Sequence, residues 1–144
     1  MNDFRINAVK NVVNELGWMC ESYDDSTSVL TIKANGRWLI SFANKREVVI
    51  NVPVIELSDN LMRSGKSQSI LKLANLMIAE IQGGNNLIVF DIISNIIVAG
   101  TCMSNNIFGM ENFEKTLKSS FTVINAQIVA GTRLIENIID KIDN

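Results

Sequence analysis

Gly65-Lys66-Ser67 has the residue types that end a phosphate-binding loop, and Leu87-Ile88-Val89-Phe90-Asp91 mimics an apolar strand ending in a magnesium-holding aspartate. The chemistry would be nucleotide binding, with successive backbone amides cradling phosphate. Such a loop needs a glycine five positions before Gly65, and Asn60 stands there. The apolar pattern also places three antiparallel strands ahead of it, where a strand–loop–helix unit is required. The motif reads as an ordinary connection. A small-ligand or nucleotide site at Gly65-Lys66-Ser67 remains the alternative to the main reading.

The other candidate groups are few. The chain has no histidine, which removes the usual general base and the commonest metal ligand together. Serine and cysteine nucleophiles that depend on histidine are excluded, as are mixed Cys/His zinc sites. Cys20 and Cys102 are far apart in sequence and belong to no C-x-x-C pair, so they read as free thiols of the core in a reducing compartment. Asp24-Asp25 lacks the spaced oxygen ligands of a calcium loop and reads as a solvated loop. Asp91 sits in an apolar strand with no basic partner close in sequence, and reads as a strand-end or turn acid. Trp18 and Trp38 could stack a ligand, but Trp38 fits a shared sheet face and reads as core. The 6 methionines are scattered and read mostly as gap-fillers. No catalytic residue, metal site or cofactor is expected.

The elements that must position these residues follow from periodicity. Asp3 can cap a first helix whose apolar face is Ile6, Val9, Val13 and Leu16, widened by Phe4, Ala8 and Val12, with Gly17 as its stop. Glu21 to Ser28 reads as an exposed loop or edge. Apolar residues then alternate. A three-residue loop Ala34-Asn35-Gly36, with Gly36 in the left-handed position, sets Ile32 against Trp38 and Leu30 against Ile40. A second loop at Asn44-Lys45-Arg46 sets Phe42 against Val48 and Ile40 against Ile50. Pro53 closes the third strand.

A polar connection, Glu56 to Gln68, has a helical turn near Leu61. A second helix runs from about Ser69 to Gln82 with Ile70, Leu73, Ala74, Met77 and Ile81 inward, and Gly83-Gly84 end it. Leu87–Ile93 and Ile96–Met103 form a hairpin turning at Ser94-Asn95. Both strands are apolar on both faces, the mark of central strands or of strands covered by a helix or second subunit. The last helix keeps Phe113, Leu117, Ser120, Ile124, Ile128, Gly131, Ile135, Ile138 and Ile142 on one stripe. At roughly 45 Å it exceeds the width of about 30–35 Å expected for the chain. It must break near Gly131 or project. Residues 1–144 are expected to form one α+β domain.

The composition agrees with a folded protein: 144 residues, 47% hydrophobic and 19% charged, net charge −2 from 13 basic and 15 acidic residues. There is no basic cluster for nucleic acid. The start lacks the order of a signal peptide, and the longest apolar stretch, Leu87 to Ala99, is too short for a bilayer. A cytoplasmic protein is expected, without membrane or nucleic-acid partner.

Helix, meander, helix, hairpin, helix resembles the type III secretion chaperone fold, shared with YbjN-like bacterial proteins. Leu71-Lys72-Leu73-Ala74-Asn75 followed by Leu87-Ile88-Val89-Phe90-Asp91 looks like their second helix leading into the fourth strand. Ile96-Ile97-Val98-Ala99 and then Glu111 to Leu117 is similar to their fifth strand and last helix. The resemblance implies a non-enzymatic protein that holds an extended segment of a partner protein as a homodimer. The charge of −2 is mild beside those acidic chaperones and favours the broader YbjN-like reading, whose regulatory role is undefined. Partner or dimer contact is expected at Ile93, Ile97, Ile128, Ile135, Ile138 and Ile142.

Overall fold

A computed structural model describes residues 3–81 and 88–143. The expected Gly83-Gly84 stop, Gln82, Met1, Leu87 and the side chain of Ile81 lie outside the described residues. Helix α1 (Phe4–Glu15) is capped by the Asp3 carboxylate, which accepts from the Arg5 amide, and it ends at Gly17 with φ +76°. Strands β1 (Met19–Asp24), β2 (Val29–Lys33), β3 (Arg37–Ser41) and β4 (Glu47–Glu56) follow. Next come the short helix α2 (Asp59–Arg63), helix α3 (Ser67–Ile81), strands β5 (Val89–Ile93) and β6 (Ile96–Ser104), a 3₁₀ turn at Asn105–Gly109, and helix α4 (Phe113–Asp143). All six strands make one antiparallel sheet in the order β1-β2-β3-β4-β6-β5. The expected α+β order stands, with one added edge strand: β1 takes up part of the stretch from Glu21 to Ser28.

The meander register is the expected one, with Leu30 opposite Ile40, Ile32 opposite Trp38 and Ile40 opposite Ile50. Leu30, Ile32, Trp38, Ile40, Phe42, Val48, Ile50 and Val52 are all buried on the sheet's inner face. Helices α1, α3 and α4 add Val9, Val12, Ile70, Ala74, Phe121, Ile124 and Ile135 to a single buried cluster, which Phe90, Ile97 and Ala99 of β5 and β6 extend.

Four expectations are corrected and one, the placement of the hairpin strands, is narrowed. Gly36 does not take a positive φ; its carbonyl instead accepts the Ala34 amide, closing the loop without a left-handed residue. Pro53 does not end its strand. The last β3 pair is Leu39 with Asn51, so Pro53 lies beyond β3, where its missing N–H leaves no bond unmade. A bulge between Pro53 and Ile55 carries β4 on along β6 to Glu56. On α3 the buried stripe is Ile70, Leu71, Ala74 and Ile78, while Leu73 is exposed and Met77 half-buried. The contacts with β5 and α4 decide that rotation, and both come from residues later in the chain. Of the hairpin strands, β6 is interior but β5 is an edge. Finally, α4 is unbroken over 31 residues.

Helix α4 stays continuous because Gly131 is a contact point. A Cβ there would lie 2.5 and 2.6 Å from the Phe90 ring and 3.0 Å from the Ile78 methyl. Its far end is also supported. Ile139 and Asp140 share a cavity wall with Ile55, Leu57 and Leu61, so the extended β4 and α2 lie beneath the part of the helix expected to project.

Candidate protein-binding surface

Gly65 has φ +73° and acts as the left-handed stop of α2. The Lys66 amide donates to Ser64 Oγ at 3.2 Å, and Ser67 opens α3. The segment is a helix–helix corner between α2 and α3, and the Lys66 amide is held by the Ser64 hydroxyl. Asp24 Oδ1 accepts from the Ser26 amide and hydroxyl at 2.9 and 2.7 Å, which lowers its pKa. Asp91 is exposed and accepts from the Ile92 amide at 2.8 Å. Cys102 is exposed on the sheet's outer face, not in the core as expected, because its position alternates with the inward Thr101 and Met103. A hydrogen bond to Glu47 pushes its thiol pKa up, with burial and the Glu47 charge adding. Burial pushes the Cys20 thiol up. A raised pKa means less thiolate, the reactive form. Among the described residues no group of three His, Cys, Asp or Glu is arranged to hold a metal.

Trp38 is buried within an aromatic cluster, 5.0 Å from Trp18 and 5.3 Å from Phe121 between ring centroids. Arg5 is also buried. Its guanidinium donates to Asp3 at 2.6 Å, to the Phe42 carbonyl at 3.0 Å, to the Asn44 carbonyl at 3.1 Å and to Asn105 Oδ1 at 3.0 Å. Asn105 in turn donates to the Lys45 carbonyl. One arginine thus ties α1 to the β3–β4 loop and to the 3₁₀ turn. Sequence reading missed it because Arg5 sits beside the apolar stripe and three of its four acceptor residues, Phe42, Asn44 and Asn105, lie far along the chain.

The sheet's outer face carries the surface that remains. Val89 is 61% exposed, Ile93 59% and Ile96 36%. Ile93 pairs with Ile96, Asp91 with Val98, and Val98 with Pro53 across β4, so these side chains form one apolar field around Asp91. On α3, Leu73 and Leu76 are also exposed.

The edge of β5 beside this field is closed. Asn75 on α3 donates to the Phe90 carbonyl at 2.9 Å and accepts from the Phe90 amide at 3.0 Å. Its side-chain amide stands where a neighbouring strand's peptide group would. Asp91 takes the next outward amide, that of Ile92. Unpaired edges invite further strands, and here two side chains occupy the Phe90 amide and carbonyl and the Ile92 amide. Asn75 interrupts an apolar run, which is the one sequence signal of this role.

Of the expected contact residues, Ile93 is exposed and Ile142 is 40% exposed. Ile138 is half-buried against the core. Ile97, Ile128 and Ile135 are packed inside the chain's own core, on the inner face of β6 and on the side of α4 that faces the sheet.

Among the described residues no helix is long and apolar enough to cross a membrane. No family model matches the chain, and no curated protein matches it. Among solved structures, the chain is similar to the Yersinia pestis type III secretion chaperone SycH in complex with a stable fragment of YscM2, at 10% identity over 85% of this chain and 96% of that one, with a TM-score of 0.48.

Proposed function

We propose that this chain is a non-enzymatic, chaperone-like protein-binding module. It acts inside the cell as a homodimer and holds an extended segment of a partner protein. One domain, residues 1–144, carries the activity, with no cofactor and no nucleic-acid or membrane partner.

The observation that carries this reading is the outer face of β5 and β6. Ile93 and Ile96 are paired across β5 and β6, Val89 lies on the same face beyond Asp91, and all three large apolar side chains are left to solvent. Exposed apolar fields of this kind mark protein-interaction surfaces. Because Asn75 and Asp91 occupy the Phe90 amide and carbonyl and the Ile92 amide on the β5 edge, a bound segment lies across the face and does not add a strand there. Ile142 and the half-buried Ile138 make a second contact at the end of α4. Ile97, Ile128 and Ile135 support these surfaces from within.

The test is a holding assay. The parent, at equal molar ratio, is expected to suppress the aggregation of a reduced, unfolded model protein. A variant with Val89→Lys and Ile93→Lys is expected to lose that suppression while keeping its circular dichroism spectrum. Equal suppression by parent and variant would remove this face from the account.

A further inference from the structure

The C-terminal half of α4 runs beside β4 where β4 outruns β3. Pairing with β3 ends at Asn51, while pairing with β6 continues to Glu56. A groove is left between helix and strand, made of two cavities end to end. One, of about 240 Å³, lies between residues 52–54 and residues 125–136 of α4. The other, of about 180 Å³, lies between residues 55–58 and residues 136–140 of α4, with Leu61 at its far wall. Glu136 lines both, and Ile55 of the second follows Val54 of the first. From Asn125 to Asp140 the helical rise gives a length of about 22 Å. An extended chain covers that distance in roughly six or seven residues.

The walls are apolar and only half closed: Val54, Ile55, Val129 and Ile139 are each half-buried. The charges along the groove are sorted. Arg133 lines the first cavity, Glu136 both, and Glu56 and Asp140 the second, and all four are exposed. Among the described residues none of the four is in an ion pair. Glu56 Oε1 accepts from Asn95 Nδ2 at 3.5 Å, a neutral donor. The neighbouring bases Arg63 and Lys141 line neither cavity. Three uncompensated carboxylates therefore face one arginine. They are not arranged to hold a metal ion. A second copy that offered its β5–β6 field would bring the exposed Asp91 toward them.

We infer that this groove docks an extended peptide segment in which apolar and basic residues alternate. An extended chain points successive side chains to opposite sides. The apolar set goes down onto Val54, Ile55, Val129 and Ile139. The basic set lays its methylene stems on the apolar rim and brings its charged heads to Glu56, Glu136 and Asp140. An acidic segment meets three like charges, and a polar one leaves the walls uncovered. The inference rests on the reading of the chain as a holder of extended segments and gives a segment of one charge its place, apart from the outer face of β5 and β6.

The test is fluorescence anisotropy at low salt with a labelled peptide of about six residues that alternates valine with lysine. Valine–glutamate and serine–lysine peptides of the same length are the controls. The expected result is saturable binding of the valine–lysine peptide and much weaker binding of both controls. A variant with Glu136→Lys and Asp140→Lys should bind about tenfold more weakly, as for two lost surface ion pairs. A variant with Asp25→Lys and Glu111→Lys has the same net charge, is changed only at exposed positions away from the groove, and should bind as the parent does. Equal weakening in both variants would trace binding to net charge and overturn the inference, as would no binding, or equal binding of the serine–lysine peptide. Binding lost only in the variant with Val89→Lys and Ile93→Lys puts the peptide on the outer face; that overturns the groove and keeps the holding reading. Peptide binding as expected in a parent that fails the holding assay supports the groove and removes the outer face alone. A parent dimer that Glu136→Lys with Asp140→Lys dissociates, without peptide binding, gives the groove to a second copy and overturns the inference.

Discussion

Replacing Gly131 by alanine separates this packing scheme from a generic helix. A glycine in an ordinary helix interior is destabilising by about 1 kcal/mol relative to alanine, so at a free position the change would stabilise the protein. At Gly131 the added Cβ lies 2.5 and 2.6 Å from two Phe90 ring carbons and 3.0 Å from the Ile78 methyl. Carbon atoms pack best at about 3.5–4.0 Å, so the ring must retreat by roughly 1 Å. It has little room: Phe90 is 1% exposed, and its backbone is held on both polar groups by Asn75. Overpacking of this kind is destabilising by about 1–3 kcal/mol. The two effects leave a net destabilisation of up to about 2 kcal/mol. Urea unfolding of parent and variant with equal slopes reads the difference. Phe90→Leu makes room for the methyl, so in that background the alanine should be less harmful by at least about 0.5 kcal/mol. A Gly131→Ala protein stabilised by about 1 kcal/mol, with no coupling to residue 90, would refute the close approach of α4 to β5.

Three further outcomes are expected. Asn75→Leu strips the Phe90 amide and carbonyl of their partners, and should lower stability by about 1–3 kcal/mol and raise light scattering on standing as the β5 edge opens; a variant as stable and as clear as the parent would show the edge to be guarded otherwise. Arg5→Ala leaves the Phe42 and Asn44 carbonyls and the Asn105 side chain without their donor, and should lower stability by roughly 2–3 kcal/mol, while Arg5→Lys restores only part, because one ammonium cannot reproduce the guanidinium's fork of donors. Hydrogen bonding to Arg5 holds the Asp3 carboxyl below its usual range. A carboxylate lowered in the folded state adds stability above its unfolded pKa of about 3.9 and loses it as pH falls through the folded value. Asp3→Asn should therefore flatten the decline in unfolding free energy from about pH 5 to pH 2, and an unchanged acid limb would exclude the pair.

The fold was legible where one period governed a whole segment. Leu30, Ile32, Trp38, Ile40 and Ile50 alternate strictly, and their register follows from which residues must share a face. Pro53 misled because its effect depends on whether a neighbouring strand needs its N–H, and β3 stops short of it. The α3 stripe misled because Leu71 and Leu73 offer two equally apolar faces, and only β5 and α4 choose between them. Gly131 has the same cause: a glycine in a helical stripe is a break or a close contact, and Phe90, 41 positions earlier, decides. The surface was half legible. The doubly apolar hairpin announced that its second face wants cover, which is what Val89, Ile93 and Ile96 present. The closing of the edge by Asn75 was not legible, since it joins a single polar residue of α3 to backbone groups of β5.

The most direct measurement is the mass in solution by size-exclusion chromatography with light scattering, on the parent and on the variant with Val89→Lys and Ile93→Lys. The account predicts twice 16.0 kDa for the parent, and no holding activity in a variant that keeps its fold. A parent that is a strict monomer of 16.0 kDa, with an apolar face that neither self-associates nor holds an unfolded chain, would contradict it.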